Sequence, residues 1–403
     1  MASHPFGQFL PGTQLELTLP SAKTGGCDRR APTVVSKVSP AEPTEVYDTY
    51  WRFACERQAV FFRRLIGARP PWTDDAILQE YKFTNAYRAS DRVSQYLIRN
   101  VIYQGEQSAE ELFFRILLFK LFNRIQTWEI LSASIGEISH KRYRFREYDD
   151  VLSRAMAAGT PIYSAAYIMP SGPASGEPRK HRHHLRLLES MMADELPQKI
   201  AGAKSMQDAF RLLRSYPSIG DFLAYQFVTD LNYSPLTNFS ECDFTVPGPG
   251  ARDGLRKCFR SFGGLNEAEL IRLVCDRQQE ELARLGLNFQ TLWGRPLQYI
   301  DCQNLFCEVD KYSRVFHPDV AGRTGRTRIK QRFTPLSQPV IPWYPPKWGI
   351  NHQIPPMMGD GNSSGDGDGL QYLPKGSNGN GPGSESGRRD GQGHDSAALG
   401  PGW

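Results

Sequence analysis

Several absences narrow what this 403-residue chain can be. It has only seven cysteines, Cys27, Cys55, Cys242, Cys258, Cys275, Cys302 and Cys307. The odd count and the lack of any CxxC pair argue against a disulfide framework, a zinc ribbon or a regular iron–sulfur site. They read instead as buried, reduced thiols of a cytosolic or nuclear protein. No apolar run approaches the roughly 18 residues of a membrane span, and no basic-then-apolar leader opens the chain. Membrane insertion and secretion are therefore not expected. There is no GxxxxGK[ST] string, so the usual phosphate-cradling loop of a kinase is missing and the chain is not expected to phosphorylate anything itself. Neither sign of charge dominates: 48 Lys and Arg face 43 Asp and Glu, for a net +5. That is a weak pull toward an acidic partner, and its distribution matters more than its sum. Alternating strand-like segments and internal repeats are missing too, which leaves an all-α class.

What is present divides into a helical body and two poor ends. Residues 1–43 are rich in Pro, Ser, Thr and Gly, and residues 351–403 are mostly Gly, Ser, Asn and Asp. Such segments bury too little apolar surface to offset the entropy of ordering, so disordered termini are expected around a folded domain at 44–350. A 3.6-residue apolar stripe marks a first helix in YDTYWRFACERQAVFFRRLIG, stopped by Gly67. Thr73 is a candidate cap for a next helix at Asp74 and Asp75. EYKFTNAYRASDRVSQYLIRNVIY reads as two helices meeting at Thr84 and Asn85. Ser108 and Glu111 have capping-box spacing ahead of one long apolar helix, LFFRILLFKLFNRIQTWEIL. Further helices are expected at 148–158, 184–196, from Ser205 to Arg214, 267–286 and 301–312. His181, His183 and His184 belong to a basic loop without acidic partners, so a phosphate contact or a solvated loop suits them better than a metal.

The most informative local pattern is LLRSYPSIGDFLAYQFVTDLNY. One helix ends at Arg214, Pro217 sets a turn, Gly220 is expected to allow positive φ, and a new helix starts at Asp221. The open backbone N–H groups at such a start, with the helix dipole, attract a phosphate without reading sequence. The spacing Pro217-x-Ile219-Gly220-x-x-x-Ala224 resembles the helix-hairpin-helix signature of DNA glycosylases. Ser218, Gly220 and Asp221 are then the DNA-binding residues. Ser218 departs from the glycine usual there, and an ordinary packing corner is the alternative. Beyond it, ECDFTVPGPGARDG places Asp243 slightly farther along than the essential aspartate of those enzymes, consistent with a small insertion near residues 234–238, with Gly248 and Gly250 allowing close backbone approach to a ligand. Such a carboxylate can stabilise positive charge on the sugar or take a proton from a nucleophile, or simply cap a turn. Strand-cutting glycosylases place a lysine where this chain has Phe222, so Schiff-base chemistry is not expected.

Two charged strings complete the candidates. In KFTNAYRASDR a helix from Tyr87 would set Arg88 and Arg92 on one face, with Asp91 between them and Lys82 and Asn85 at the turn before. Two arginines and a lysine can hold a phosphate or pyrophosphate, or can form a solvated face with its own ion pair. In DCQNLFCEVDKYSR, Asp301, Asn304, Glu308 and Lys311 share a helical face. Glu308 and Lys311 can pair with each other or orient the arginines across a pocket. The basic stretch at 322–333, GRTGRTRIKQRF, is either a DNA-backbone contact or a solubilising segment.

Taken together, KFTNAYRASDRVSQYL, RILLFKLFNRIQTWE, YPSIGDFLAYQFVTDLNYS, DFTVPGPGA and DCQNLFCEVDKYSR resemble the helical domain associated with 5-hydroxymethyldeoxyuridine DNA kinases. That group includes alpha-glutamyl/putrescinyl thymine pyrophosphorylases of phage DNA hypermodification. The resemblance spans about residues 47–348 and implies a helix-hairpin-helix DNA glycosylase-like fold. It also implies substitution on an activated thymine: pyrophosphate leaves a 5-hydroxymethyl pyrimidine and an amine, such as an amino acid, takes its place. Lys82, Arg88 and Arg92 would hold the leaving group, Asp243 would orient or deprotonate the amine, and the hairpin would hold the strand around a flipped base. Asn85, Asp91, Asn304, Glu308, Lys311, Gly248 and Gly250 would line the substrate. Neither a cofactor nor a metal is implied. The expected partner is DNA, contacted at its backbone and a flipped base, with no membrane. A monofunctional glycosylase for a modified pyrimidine and a non-catalytic reader of modified bases are the other two readings.

Overall fold

The computed structural model describes residues 40–165, 169–170, 179–335 and 341–355. Most of both low-complexity ends, and residues 171–178 of the expected basic loop, lie outside them. Among the described residues the protein is mainly helical with little strand, in keeping with the all-α expectation. The only strand pairing between named elements joins Glu42–Pro43 to Phe259–Ser261, antiparallel. The folded body thus takes in two residues assigned above to the N-terminal segment.

Helix α1 spans Glu45–Leu65, capped by Thr44, whose hydroxyl accepts from the Val46 N–H. Gly67 then turns the chain at φ +74, where a side chain is disfavoured. α2 covers Ala76–Glu80, and its cap is Asp75, not Thr73. The Asp75 carboxylate accepts from two helix N–H groups, at Ile77 and Leu78, while the Thr73 hydroxyl accepts from the Asp75 N–H, outside the helix. A carboxylate also suits the positive end of the helix dipole better than a hydroxyl.

The KFTNAYRASDR string departs most from its expectation. Residues 81–87 run extended, Arg88–Ser90 is a single 3-10 turn, and Asp91 is again extended before α3, Arg92–Tyr96, which runs on as a π-helix over Leu97–Ile102. The two expected helices are thus one interrupted segment. Arg88 and Arg92 do not share a helical face, because the ψ of 146° at Asp91 separates them. Tertiary hydrogen bonds to the backbone here, described below, outweigh helix propensity.

α4, Ala109–Phe122, is buried from Glu111 onward and forms the centre of the core. It packs on α5 (Ile125–Ile135), α7 (Lys180–Ala193), α8 (Leu196–Ala201) and α10 (Asp221–Leu231). Asn123 at φ 49 splits the expected single long helix into α4 and α5. The Ser108–Glu111 capping box does not form. Glu111 instead accepts from Ser139 Oγ and the backbone N–H groups of His140 and Lys141, fixing the turn before α6, Phe145–Ala157. A buried carboxylate with three donors is worth more to the fold than a surface cap.

α9, Met206–Arg214, is capped by Ser205 as expected and joins α10 through a tight turn. The supposed Gly/Pro-rich link holds an unforeseen helix, α11, at Pro249–Cys258. The expected 267–286 helix is two, α12 (Glu267–Asp276) and α13 (Gln278–Arg284), and α14 closes the body at Tyr299–Phe316. α11 and α14 approach very closely at Gly254, where an added Cβ would collide with the Phe306 carbonyl. The buried Lys257–Asp310 pair, 3.0 Å apart, locks the same crossing. Gly254→Ala must therefore push α11 off α14. It is expected to cost at least about 1–3 kcal/mol, measured by urea unfolding.

Candidate functional site

Four of the five motif strings, scattered over more than 200 positions, converge on Arg88. Its guanidinium is 3% exposed and meets the fully buried Asp230 of α10 through two parallel bonds, Nη1–Oδ1 at 2.8 Å and Nη2–Oδ2 at 2.9 Å. Its Nε donates to Gln226 Oε1 at 3.0 Å, and Nη1 also donates to the Tyr233 hydroxyl at 3.1 Å. Lys120, from the middle of α4, reaches the same carboxylate at 3.1 Å and donates to Asn123 Oδ1 at 2.7 Å. The Arg88 backbone N–H donates to Asp301 Oδ1 on α14 at 2.8 Å. Burial works against the Asp230 charge, but Arg88 and then Lys120 outweigh it and hold its carboxyl below the usual range. Burial lowers Lys120 to about 8, with Asp230 opposing.

This changes the reading of Arg88. A guanidinium sealed against a carboxylate is not a surface clamp for pyrophosphate; it positions the segment that carries it. The partners Lys120, Gln226, Asp230 and Tyr233 were not singled out in the sequence. A signal was there: Lys120 and Asp230 are isolated charges of opposite sign in the apolar strings LFFRILLFKLF and DFLAYQFVTDL, a pattern that charges rarely show unless they pair in the interior.

Beside this lock a cluster of polar contacts joins residues 84–91 to α14. Glu308 pairs with Lys311 at 2.7 Å, as in the first of the two readings, and its other contact is the Thr84 backbone N–H at 2.9 Å rather than an arginine. Asp91 accepts from the Asn85 backbone N–H at 2.7 Å, and Asn85 Nδ2 donates to the Ser90 carbonyl. Four expected substrate-lining residues, Asn85, Asp91, Glu308 and Lys311, are thereby brought together. Asn304 is half-buried one turn before Glu308. Lys82 and Arg92 are exposed. Burial pushes the Asp91 carboxyl up to about 7, with the Asn85 N–H opposing, and pushes Asp301 up to about 7 against its two backbone donors.

Across α14 the helix-hairpin segment meets the start of α11. A Cβ on Gly248 would lie 3.0 Å from the Phe222 ring, and one on Gly250 would lie 3.1 Å from Cys307 Sγ. These glycines let α11 seat against α10 and α14; that packing is their visible use. Gln303, wholly buried beneath Gly248, leaves Oε1 without a partner among the described residues. In the hairpin itself, Ser218 sits at φ 67, the left-handed conformation that favours glycine. Its Oγ lies 3.3 Å from His183 Nε2. Gly220 caps α10 without any side-chain bond and with open space around it, while Asp221 pairs with Arg214 at 2.6 Å. Asp243 is exposed, and its neighbour Phe244 clamps it to the hairpin: that ring packs on Phe210 of α9 and Tyr225 of α10 at centroid distances of 5.0 and 5.9 Å.

The histidines are not in a loop. His181, His183 and His184 lie buried on α7. His181 bonds Asp149 at 2.8 Å, and His184 is held between the Tyr163 hydroxyl and the Pro170 carbonyl, with burial lowering it to about 4. Their role is internal. Among the described residues no group of three or more His, Cys, Asp or Glu is placed to hold a metal, and no helix is long and apolar enough to cross a membrane. The basic stretch at 322–333 is pinned at its end, where Lys82 and Phe333 N–H groups donate to the Gln331 and Glu80 carbonyls.

The class is a mainly helical body with its motifs interlocked around one buried arginine and a cluster of polar contacts beside it. The sequence family follows from comparison. The family model for the 5-hmdU DNA kinase helical domain matches residues 44–322, and the chain belongs to that family. A 5-hmdU DNA kinase of Bacillus phage SP10 is 27% identical over 286 residues, covering 66% of this chain and 45% of the relative. The match therefore spans less than half of the relative's length. No solved structure matches.

Two consequences are measurable. Asp230→Asn strands Arg88 and Lys120 in the interior, and Arg88→Ala strands Asp230 with Lys120 alone. Each is expected to lose about 3–5 kcal/mol in urea unfolding. Asp91 carries the opposite pH signature. The folded chain keeps its proton up to about 7, whereas the unfolded chain releases it near about 4. Stability from this group therefore falls as pH rises through that window. Asp91→Asn keeps the acceptor for Asn85 and should gain on the native chain at pH 8 relative to pH 5, read as the shift in urea midpoint.

Proposed function

We propose that this chain is a DNA base-modification domain that holds a strand through the α9–α10 hairpin and acts on a flipped, modified thymine, using Asp243 at the reacting base. The observation that carries this reading is the clamping of the exposed Asp243 to both hairpin helices through Phe244. The positive φ at Ser218 and the uncapped start of α10 support a helix-hairpin-helix phosphate contact of the kind used in the DNA glycosylase-like superfamily. The name of the phage relative points to 5-hydroxymethyldeoxyuridine in DNA as the substrate class.

The reaction is substitution at the 5-methylene carbon. A neutral amine forms the new C–N bond, the C–O bond to pyrophosphate breaks, and the leaving group departs with the electron pair. Asp243 takes the proton that the nitrogen sheds. The exposed cations Lys82 and Arg92 meet the leaving group's charge, while Arg88 acts at one remove by fixing the 84–91 segment through Asp230. Glu308, Lys311, Asn304 and Asn85 line the approach. A monofunctional glycosylase is the second reading, favoured by the same Asp243 placement and by Phe222 in place of a lyase lysine.

The test uses duplexes bearing thymine, 5-hydroxymethyluracil or its pyrophosphorylated form, with and without amino acids, followed by nucleoside mass analysis. An amine adduct with released pyrophosphate is the expected result. Free base would establish the glycosylase instead, and binding without product would leave a reader. Asp243→Asn should slow product formation by about 10²–10⁴-fold; an unchanged rate removes Asp243 from the site. Ser218→Gly should preserve DNA binding and stabilise the fold by about 1 kcal/mol, whereas Ser218→Val should weaken both.

A further inference from the structure

A concavity lies beside residues 81–83, on the side away from Glu308. It has a volume of about 230 Å³ and is enclosed by α1, the 70–73 turn, α2 and the 333–335 segment. The alternation of an extended chain explains its wall. Tyr81 and Phe83 line it, while Lys82 between them is exposed. Phe333 closes the cavity from the other side, held there by its N–H bond to the Glu80 carbonyl and its edge-on contact with Trp72 at 6.4 Å.

The polar content of this wall is one-sided. Arg57 and Arg64 line it, and none of the lining residues is Asp or Glu. Arg57 is 8% exposed. Its Nε donates to the Thr84 carbonyl at 2.9 Å, and its Nη1 has no acceptor among the described residues. Asp91 and Glu308 act on it electrostatically, yet neither forms an ion pair with it. Arg64 lies over the Trp72 ring at 5.0 Å and likewise makes no ion pair among the described residues. A buried guanidinium nitrogen without an acceptor is costly unless a ligand supplies one. Aromatic walls with two cations and no internal anion are complementary to a flat apolar body bearing a negative charge.

We infer that this cavity binds a small organic anion with a planar body, of the size of a single-ring carboxylate, its charge between Arg57 and Arg64 and its ring among Trp72, Tyr81, Phe83 and Phe333. The site is separate from the DNA-facing hairpin, and its occupancy does not depend on the proposed base chemistry. It does touch the polar cluster at α14: the Arg57–Thr84–Glu308 chain of bonds crosses the segment that the two share.

Calorimetric titration of the full chain tests this with benzoate, its neutral isostere benzamide, and acetate, which has the charge without the ring. Benzoate is expected to bind at about 0.1–1 mM, the range open to a ligand of this size. Benzamide and acetate should each bind at least about tenfold more weakly. Arg64→Met keeps the length of the half-buried side chain and should cost benzoate about tenfold, with the circular dichroism unchanged. If that variant fails to fold, Phe333→Ser opens the wall from its exposed end and should weaken benzoate in the same way. Failure of benzoate to bind below about 10 mM, equal binding of benzamide, or indifference to both substitutions overturns the inference.

Discussion

Two cations, Arg88 and Lys120, share one buried carboxylate, Asp230, and most of the architecture depends on that arrangement. Three charges in the interior are tolerable only if their remaining hydrogen-bonding capacity is met. Here Gln226, Tyr233 and Asn123 supply the further acceptors. The geometry therefore demands that α4, α10 and the 3-10 turn at Arg88 be in register at once. Asp301 on α14 adds a fourth element by taking the Arg88 backbone N–H. Elements from four separate motifs cannot drift independently while this set is satisfied.

Its consequence is a division of labour along the motifs. Residues that look like ligand contacts in a linear reading, Arg88 foremost, are the interior fasteners. The groups left at the surface are fewer: Lys82, Arg92 and Asp243 are exposed, with Glu308, Lys311 and Asn85 half-buried in the polar cluster. The fasteners set the backbone of residues 81–91, non-helical as far as the 3-10 turn at Arg88–Ser90. Its first residues are bonded to α14 on one side and line the cavity beside α1 on the other. Two sets of contacts of different chemistry thus share one segment, and Thr84 bonds to both sides through its N–H and its carbonyl.

The departures from the sequence reading have a common cause. Thr73 and Ser108 occupy cap positions by local rules, yet Asp75 and the tertiary ties of Glu111 decide the outcome. KFTNAYRASDR has helical spacing, but Glu308, Asp91 and Asp301 capture its N–H groups from outside the helix path. α11 was hidden because PGPGARDG reads as a loop. Its glycines are there to clear Phe222, Cys307 and Phe306, neighbours that no local window contains. At Glu111, Thr84, Arg88 and α11 a distant partner displaced a short-range preference; at Asp75 a stronger local cap did so.

Composition and periodicity were enough to determine the all-α class, the apolar centre at α4, the Ser205 cap and the turn between α9 and α10, because each depends on residues close together in the chain. The hairpin's left-handed position was not legible: the local pattern assigned positive φ to Gly220, which sits at φ −80, whereas Ser218 takes φ 67. Which charges are interior and which face a ligand was decided only by the fold. Arg88 and Arg92 are four residues apart and chemically the same. One became a buried fastener and the other a surface cation because Asp230, 142 residues from Arg88, lies in the core beside it alone.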